Sequence, residues 1–492
     1  MKANRTLIIG AGIAGIATAI RQAVAGREVH VFEANSYPGG KLSRFELGSY
    51  RFDAGPSLFT MPHWVEELFE LAGENPEEHF PYLKDDVACG YFWTDGTRLT
   101  AWADVARFAA EAEKQLGEPS SNVRNHLSRV QVQYDATAPL FLQSSLHRLK
   151  TYRWKHVKSA VRALPKLDLT RTMAQVHERA FKTEKMRQLF HRFATYNGSS
   201  PYQAPGVLAM IPHLEHGIGT FLPQKGMGDI TDSLVKLAER LGVQFHYNAP
   251  VSRIQHQDGR VGGIELQDGT VWQSSTVVSN MDVVPTYRKL MPDWPAPEPV
   301  LNQERSSSAL IFYWGMKGNF PELGLHNIFF SNDYPGEFRA LFEDKMPGPD
   351  PTVYVNITSK LAQQEAPEGC ENWFVMVNAP ADYGQDWEAL RQETRKLVLG
   401  KLSAVLNRDV AALIVEETYL DPPGIERATS SYRGALYGAA SNNRLAAFLR
   451  HPNKGNGPKG LYHVGGSVHP GGGIPLCLMS AKITNEWIID QS

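Results

Sequence analysis

Apolar residues in this chain recur in three rhythms, and each predicts a different element. Unbroken apolar runs mark buried strands. Thr6-Leu7-Ile8-Ile9 and Val29-His30-Val31-Phe32 are two of these, separated by a glycine turn and a helix-like run through Ile20 to Gly26. Helical spacing appears in Met61 to Gly73, in Ile230 to Leu241 and in Trp387 to Leu406, with Gly73 and Gly242 as stops for the first two. Ala103 to Phe190 is mainly helical as well. Turn-punctuated runs predict hairpins: Tyr91 to Leu99 folds about Asp95-Gly96, and Val251 to Asn280 reads as a short meander divided by Asp258-Gly259 and Asp268-Gly269. Between Ser306 and Pro380 lie four aromatic-rich strands, around Ile311, Ile328, Val355 and Val375. Their rings either line a long apolar tunnel or fill a core, and for any single residue core is the better expectation. The chain closes with a strand, Leu461-Tyr462-His463-Val464, a glycine loop and a helix start.

The first strand–turn–helix–strand stretch carries chemistry. Gly10-Ala11-Gly12-Ile13-Ala14-Gly15 is the glycine fingerprint of a dinucleotide site. Gly10 permits the tight turn, Gly12 lets the backbone approach a pyrophosphate, and Gly15 lets the helix pack closely on the strand. The N–H groups at the helix start face the anion, and Glu33 stands where a carboxylate takes the ribose hydroxyls. In the C-terminal block, Gly465-Gly466 and Gly471-Gly472-Gly473-Ile474-Pro475 again present a helix start to an electron-rich ring edge. The two blocks must meet, so the cofactor domain is discontinuous.

Composition narrows the class. The 492 residues suffice for two or three domains, and 42% hydrophobic with 21% charged residues is globular. A formal charge of −2 excludes a general polyanion partner such as nucleic acid. Cys89, Cys370 and Cys477 lie far apart, without disulfide or metal spacing, which fits a reducing compartment. Lys2 and Arg5 precede a short apolar run, but its glycines read as cofactor motif rather than as a signal segment. No apolar run is long enough to span a bilayer. One charge feature stands out: Arg148, Lys150, Arg153, Lys155, Lys158, Arg162 and Lys166 are basic, with Tyr152 and Trp154 between them and no acid from Ala136 to Leu167. It reads as a lipid-facing surface, as a solvated helix face or, against the near-neutral charge of the whole chain, as a nucleic-acid patch. His213 and His216, three apart, lack a third ligand at a recognised spacing, so no metal site is expected.

Pro38-Gly39-Gly40-Lys41, followed by Phe52-Asp53-Ala54-Gly55-Pro56-Ser57, resembles the amine oxidase-like FAD superfamily. The resemblance implies that the Gly39-Gly40 turn passes over FAD and that Lys41 and Arg44 accompany it, with Arg44 near the phosphates. It further implies that Gly55, Pro56 and Ser57 approach the flavin ring, that the backbone of Val251 contacts the adenine end, and that Ala34, Asn280, Gly466, Gly473, Ile474 and Pro475 complete the site with Ile13 and Ala14.

The N-terminal motif, the Phe52 to Ser57 segment and Pro470 to Pro475 together resemble bacterial carotenoid desaturases over nearly the whole chain. Phe32 to Leu42, Ala194 to Tyr202 and Pro212-His213-Leu214-Glu215-His216 are closest to hydroxycarotenoid 3,4-desaturases. The expected fold is α/β: a Rossmann-type FAD domain of glutathione reductase-like type (1–84, 222–285 and 430–492), a mixed α+β substrate domain (85–135 and 286–429) and a helical membrane-associating region (136–221). The expected reaction passes a hydride from a carotenoid C–C unit to FAD and loses a proton beside it, with quinone or oxygen as electron acceptor. The expected place is the inner face of the cell membrane, on the cytoplasmic side. His213, Glu215 and Arg192 are the candidate polar groups near flavin or substrate. A phytoene desaturase, a polyene isomerase or saturase, a flavin amine oxidase and a prenyl-lipid carrier related to GDP dissociation inhibitors are the alternatives.

Overall fold

The computed structural model describes residues 4–145, 167–443 and 450–491. All seven basic residues of the Arg148 to Lys166 stretch lie outside the described residues.

The first apolar runs form the centre of a five-stranded parallel sheet. Its strand order is Leu461–His463, Val277–Ser279, Arg5–Ile9, Glu28–Phe32, Gln244–His246. Parallel strands are buried on both faces, which is why these runs are apolar without alternation. The helix Ile13–Val24 covers one face, and every residue from Ile13 to Gln22 is buried. It packs against the last helix, Ile474–Ile489, and against Gly228–Arg240. A polar rung crosses this layer: Thr6 Oγ1 donates to Gln22 Oε1, and Gln22 Nε2 donates to Asn485 Oδ1 at 2.6 Å.

The meander Val251–Gln257, Arg260–Leu266, Val271–Gln273 is antiparallel. A seven-stranded mixed sheet forms the second layer. Its order is Ile414–Leu420, Ser308–Lys317, Cys370–Ala379, Val353–Asn356, His326–Phe329, Val87–Phe92, Arg98–Trp102. Within it Ile328 pairs with Tyr354 and Tyr354 with Met376. The strand period of two then separates the faces. Phe312, Trp314, Val353, Val355, Val375 and Val377 pack with Leu399 and Leu402 of the helix Trp387–Leu406 into one core. Ile311, Tyr313, Tyr354, Phe374 and Met376 take the other face. Among the described residues no helix is long and apolar enough to cross a membrane, and no group of three or more His, Cys, Asp or Glu side chains is placed to hold a metal ion.

Candidate functional site

Gly10 has φ +92° and its N–H donates to Phe32 O at 2.7 Å. A Cβ on Gly15 would stand 2.2 Å from Gly10 O, so only glycine lets the helix start so close to the strand end. A Cβ on Gly12 would stand 2.6 Å from Asn280 Nδ2, which leaves the turn open in front of the helix N-terminus. That N-terminus has no side-chain cap and no acid in its first turn. Its first N–H groups are therefore available to an anion. Glu33 closes the turn: Ala11 N–H donates to Oε2 at 2.8 Å, and Asn35 N–H and Nδ2 donate to Oε1 at 2.9 Å each.

Two further segments lock against this turn. Gly39 N–H donates to Ala11 O at 2.8 Å. A Cβ on Gly55 would lie 2.3 Å from Lys41 O, so the Phe52 to Ser57 segment rests on the backbone after Gly40. Asp53 holds that segment by accepting from Met227 N–H and Gly228 N–H at 2.9 and 2.8 Å. Burial pushes its carboxyl up to about 6, against these amides and Arg44. Tyr313 Oη donates to Ala54 O at 2.6 Å, which ties the segment to the seven-stranded sheet. The last helix begins after Gly473, with φ +105°, no side-chain cap and open space where a Cβ would stand.

A cavity of about 880 Å³ begins at this cradle and continues over the apolar face of the seven-stranded sheet, within the 300–1,000 Å³ of small-molecule sites. Every cofactor residue anticipated from the sequence lines it except Gly15 and Arg44. Gly15 acts through packing. Arg44 forms an ion pair with Asp232, and both side chains are about one-third exposed. Lys41 lines the cavity and donates to Leu436 O at 2.8 Å, and burial lowers its pKa against the nearby Asp282.

Glu215 and Arg192 both line the cavity as a buried pair, with Arg192 Nη2 2.7 Å from Glu215 Oε2. Arg192 also donates to Tyr91 Oη at 2.6 Å, and Tyr196 Oη donates to Glu215 Oε1. Burial opposes the charge on Arg192, but Glu215 outweighs it and holds the guanidinium protonated. His213 is not among the cavity-lining residues. Its ring lies 4.9 Å from Tyr134, and burial lowers its pKa. His216 stacks on Phe108 at 4.7 Å and is pushed down to about 3 by burial. The Pro212 to His216 motif thus brings Glu215 to the cavity, while His216 sits in an aromatic core.

Sequence reasoning missed Tyr354 and His326, which line the same cavity. Ser57 Oγ donates to Tyr354 Oη at 2.9 Å, and Tyr354 Oη lies 2.8 Å from His326 Nδ1. The one available signal was alternation: in Val353-Tyr354-Val355-Asn356, Tyr354 lies on the face opposite the two valines.

Comparison with known proteins adds the following. The family described as flavin containing amine oxidoreductase matches residues 13–488. The chain is 53% identical over 485 residues to a 1-hydroxycarotenoid 3,4-desaturase of a Flavobacterium species, covering 99% of both chains. It is 32% identical to a 4,4'-diapolycopene oxygenase of a Methylomonas species, over 99% of this chain and 98% of the other. Cyclohexylamine oxidase of Brevibacterium oxydans is similar in fold, with a TM-score of 0.60 at 16% identity over 99% of each chain.

Proposed function

The chain belongs to the flavin containing amine oxidoreductase family and is an FAD-dependent oxidoreductase, and from this premise we propose that it introduces the C-3,4 double bond into a 1-hydroxycarotenoid. The observation that carries the reading is the single cavity joining the glycine cradle to an apolar sheet face. A dinucleotide fits one end of it and a polyene the other.

In this reading the uncapped helix start after Gly12 holds the pyrophosphate, Glu33 the ribose, and the Val251 backbone the adenine end. Gly55 to Ser57 and Gly473 to Pro475 flank the ring. Bound there, FAD supplies the hydride acceptor while a proton leaves the neighbouring carbon of the substrate. The chain's own work is placement. Ile311, Phe374 and Met376 press the polyene against the cradle, and their apolar side chains keep water from it. The Arg192–Glu215 pair fixes Tyr196 on the cavity wall and ties it to the buried Tyr91 of the sheet.

The helix Ser120–Phe141 supports docking on the inner face of the cell membrane. Tyr134, Thr137 and Phe141 line the cavity, and the basic stretch follows this helix in the sequence. A polyene dissolved in lipid then enters without crossing water, and a membrane quinone, or oxygen, takes the electrons. Anaerobic mixing of FAD-loaded protein in liposomes with a 1-hydroxycarotenoid, and separately with phytoene, tests the assignment. Flavin bleaching with the hydroxycarotenoid and a longer-wavelength product is the expected result. Bleaching with phytoene alone moves the assignment to a phytoene desaturase.

A further inference from the structure

The seven-stranded sheet turns mostly apolar side chains toward the cavity, and a hydrocarbon needs nothing else. Yet a chain of three polar groups, Asn356, His326 and Tyr354, is built into that face, and Ser57 joins it from the segment after Gly55. Asn356 Nδ2 donates to Leu325 O at 3.0 Å and lies 3.2 Å from His326 Nδ1, so this nitrogen is an acceptor. Tyr354 Oη, 2.8 Å away, therefore donates to it, and Ser57 Oγ donates in turn to Tyr354 Oη at 2.9 Å. The proton of the neutral imidazole sits on Nε2, which has no hydrogen-bond partner although His326 is 3% exposed. Burial, with Arg192 nearby, drives the His326 pKa down to about 3, so the ring stays neutral. The chain thus reaches the cavity as two hydroxyl oxygens, those of Ser57 and Tyr354, each with acceptor capacity to spare.

The ion pair close by does not share this property. Both oxygens of Glu215 accept from Arg192, and Oε1 accepts from Tyr196 as well. That cluster is closed on itself. Polar groups buried against a hydrocarbon each cost roughly 1–3 kcal/mol when left short of partners. This chain keeps His326 Nε2 without a partner and presents two acceptor oxygens to the cavity, which points to a ligand with a polar end.

Resting on the desaturase reading above, we propose that Ser57, Tyr354 and His326 form the site that receives the terminal hydroxyl of the substrate and so selects which C–C bond lies at the flavin. The placement follows from covalent geometry. Ser57 ends the segment that rests on the backbone after Gly40, beside the cofactor cradle. A hydroxyl on C-1 lies three bonds from C-3, about 4 Å at bond lengths of about 1.5 Å. Anchoring that hydroxyl on Ser57 and Tyr354 sets C-3 and C-4 next to the cradle, whereas a chain without the hydroxyl is free to slide along the apolar face.

The test compares kcat/KM and product regiochemistry for a 1-hydroxycarotenoid and for the same polyene lacking the hydroxyl. It uses FAD-loaded wild type, Tyr354→Phe, Ser57→Ala and His326→Gln in liposomes. Wild type prefers the hydroxylated substrate by roughly 10- to 100-fold. In Tyr354→Phe and Ser57→Ala the preference falls to within about threefold, and the site of desaturation on the hydroxylated substrate becomes mixed. A purely structural role lowers turnover of both polyenes together and keeps their ratio, and that result overturns the proposal. So does a wild type that handles both equally well. Wild type active on the hydroxycarotenoid, with the ratio intact in all three variants, removes this site while leaving the desaturase reading standing. Wild type inactive on both polyenes, with FAD bound, removes both. If Tyr354→Phe fails to retain FAD, Ser57→Ala and His326→Gln decide by the same ratio.

Discussion

The cofactor cradle and the floor of the substrate cavity meet in one cavity, yet they are specified in opposite ways. The cradle is made by backbone: Gly15 against Gly10 O, Gly55 against Lys41 O, Gly473 with nothing beside it. Its tolerance for substitution is set by distances near 2 Å at Gly15 and Gly55 and by a positive φ at Gly473, with Glu33 and Asp53 as the side chains that hold it together. The floor is made by side chains on alternate positions of strands far apart in sequence, from Ile311 to Met376. There a methyl group more or less changes shape without stopping the chain. A cofactor common to many reactions is thus held by the part that cannot vary, and the substrate by the part that can.

The sharpest break of that contrast is Gly15→Ala. The added Cβ meets a backbone carbonyl that has nowhere to go, so a cost of about 3 kcal/mol or more is expected, with flavin content after purification falling at least tenfold by the ratio of flavin to protein absorbance. Next comes Glu215→Gln, which leaves the buried Arg192 charge without its counter-charge. The expected destabilisation is about 3–5 kcal/mol in urea unfolding, and Arg192→Met combined with Glu215→Leu should restore a large part of it.

Glu337, which accepts from the cavity-lining Thr352, tests that side of the cavity by pH. Burial pushes its carboxyl up to about 7, against Thr352, which donates to Oε2 at 2.7 Å, and Lys401. A raised folded pKa means that the native state holds the proton longer. Stability from this group is intact below about 4.5 and is lost as pH rises to about 7. Glu337→Gln should flatten the stability profile over that window, with a gain of roughly 3 kcal/mol above it. The smallest effect is expected for Arg44→Ala. Its pair with Asp232 is partly exposed and contributes no more than about 1 kcal/mol, and flavin content should stay near wild type. A large loss of flavin would return Arg44 to the phosphates.

The cradle was legible because its requirements are local. A glycine needed for a positive φ or a close approach is visible in the sequence whatever surrounds it, and the acid at Glu33 stands at a fixed distance from the turn. The floor was legible only as strands. Alternation in Val353-Tyr354-Val355 separates the two faces but does not say which one meets a ligand, so Tyr354 passed as core, and His326, one residue before the apolar run at Asn327, stood outside the pattern. His213 shows the converse: a histidine beside a glutamate looks like chemistry, and the turn that carries Glu215 to the cavity sets His213 beside Tyr134 rather than on the lining. Arg44 alternates with cavity-lining neighbours, Ser43 and Phe45, and one residue of register separates a phosphate contact from a surface ion pair.

The edge strand Leu461–His463 bears on how the protein is made. It pairs with Val277–Ser279, and the helix that follows it packs on Ile13–Val24, so the first and last pieces of the cradle are separated by more than four hundred residues of chain. During synthesis the N-terminal glycine turn emerges before its partners and must wait, its apolar helix face uncovered, until the strand Leu461–His463 and the helix after it have left the ribosome. Closure of the cradle therefore waits for the helix Ile474–Ile489, and a nascent chain stalled anywhere before residue 460 has an incomplete cradle and an uncovered apolar helix face for a chaperone to hold.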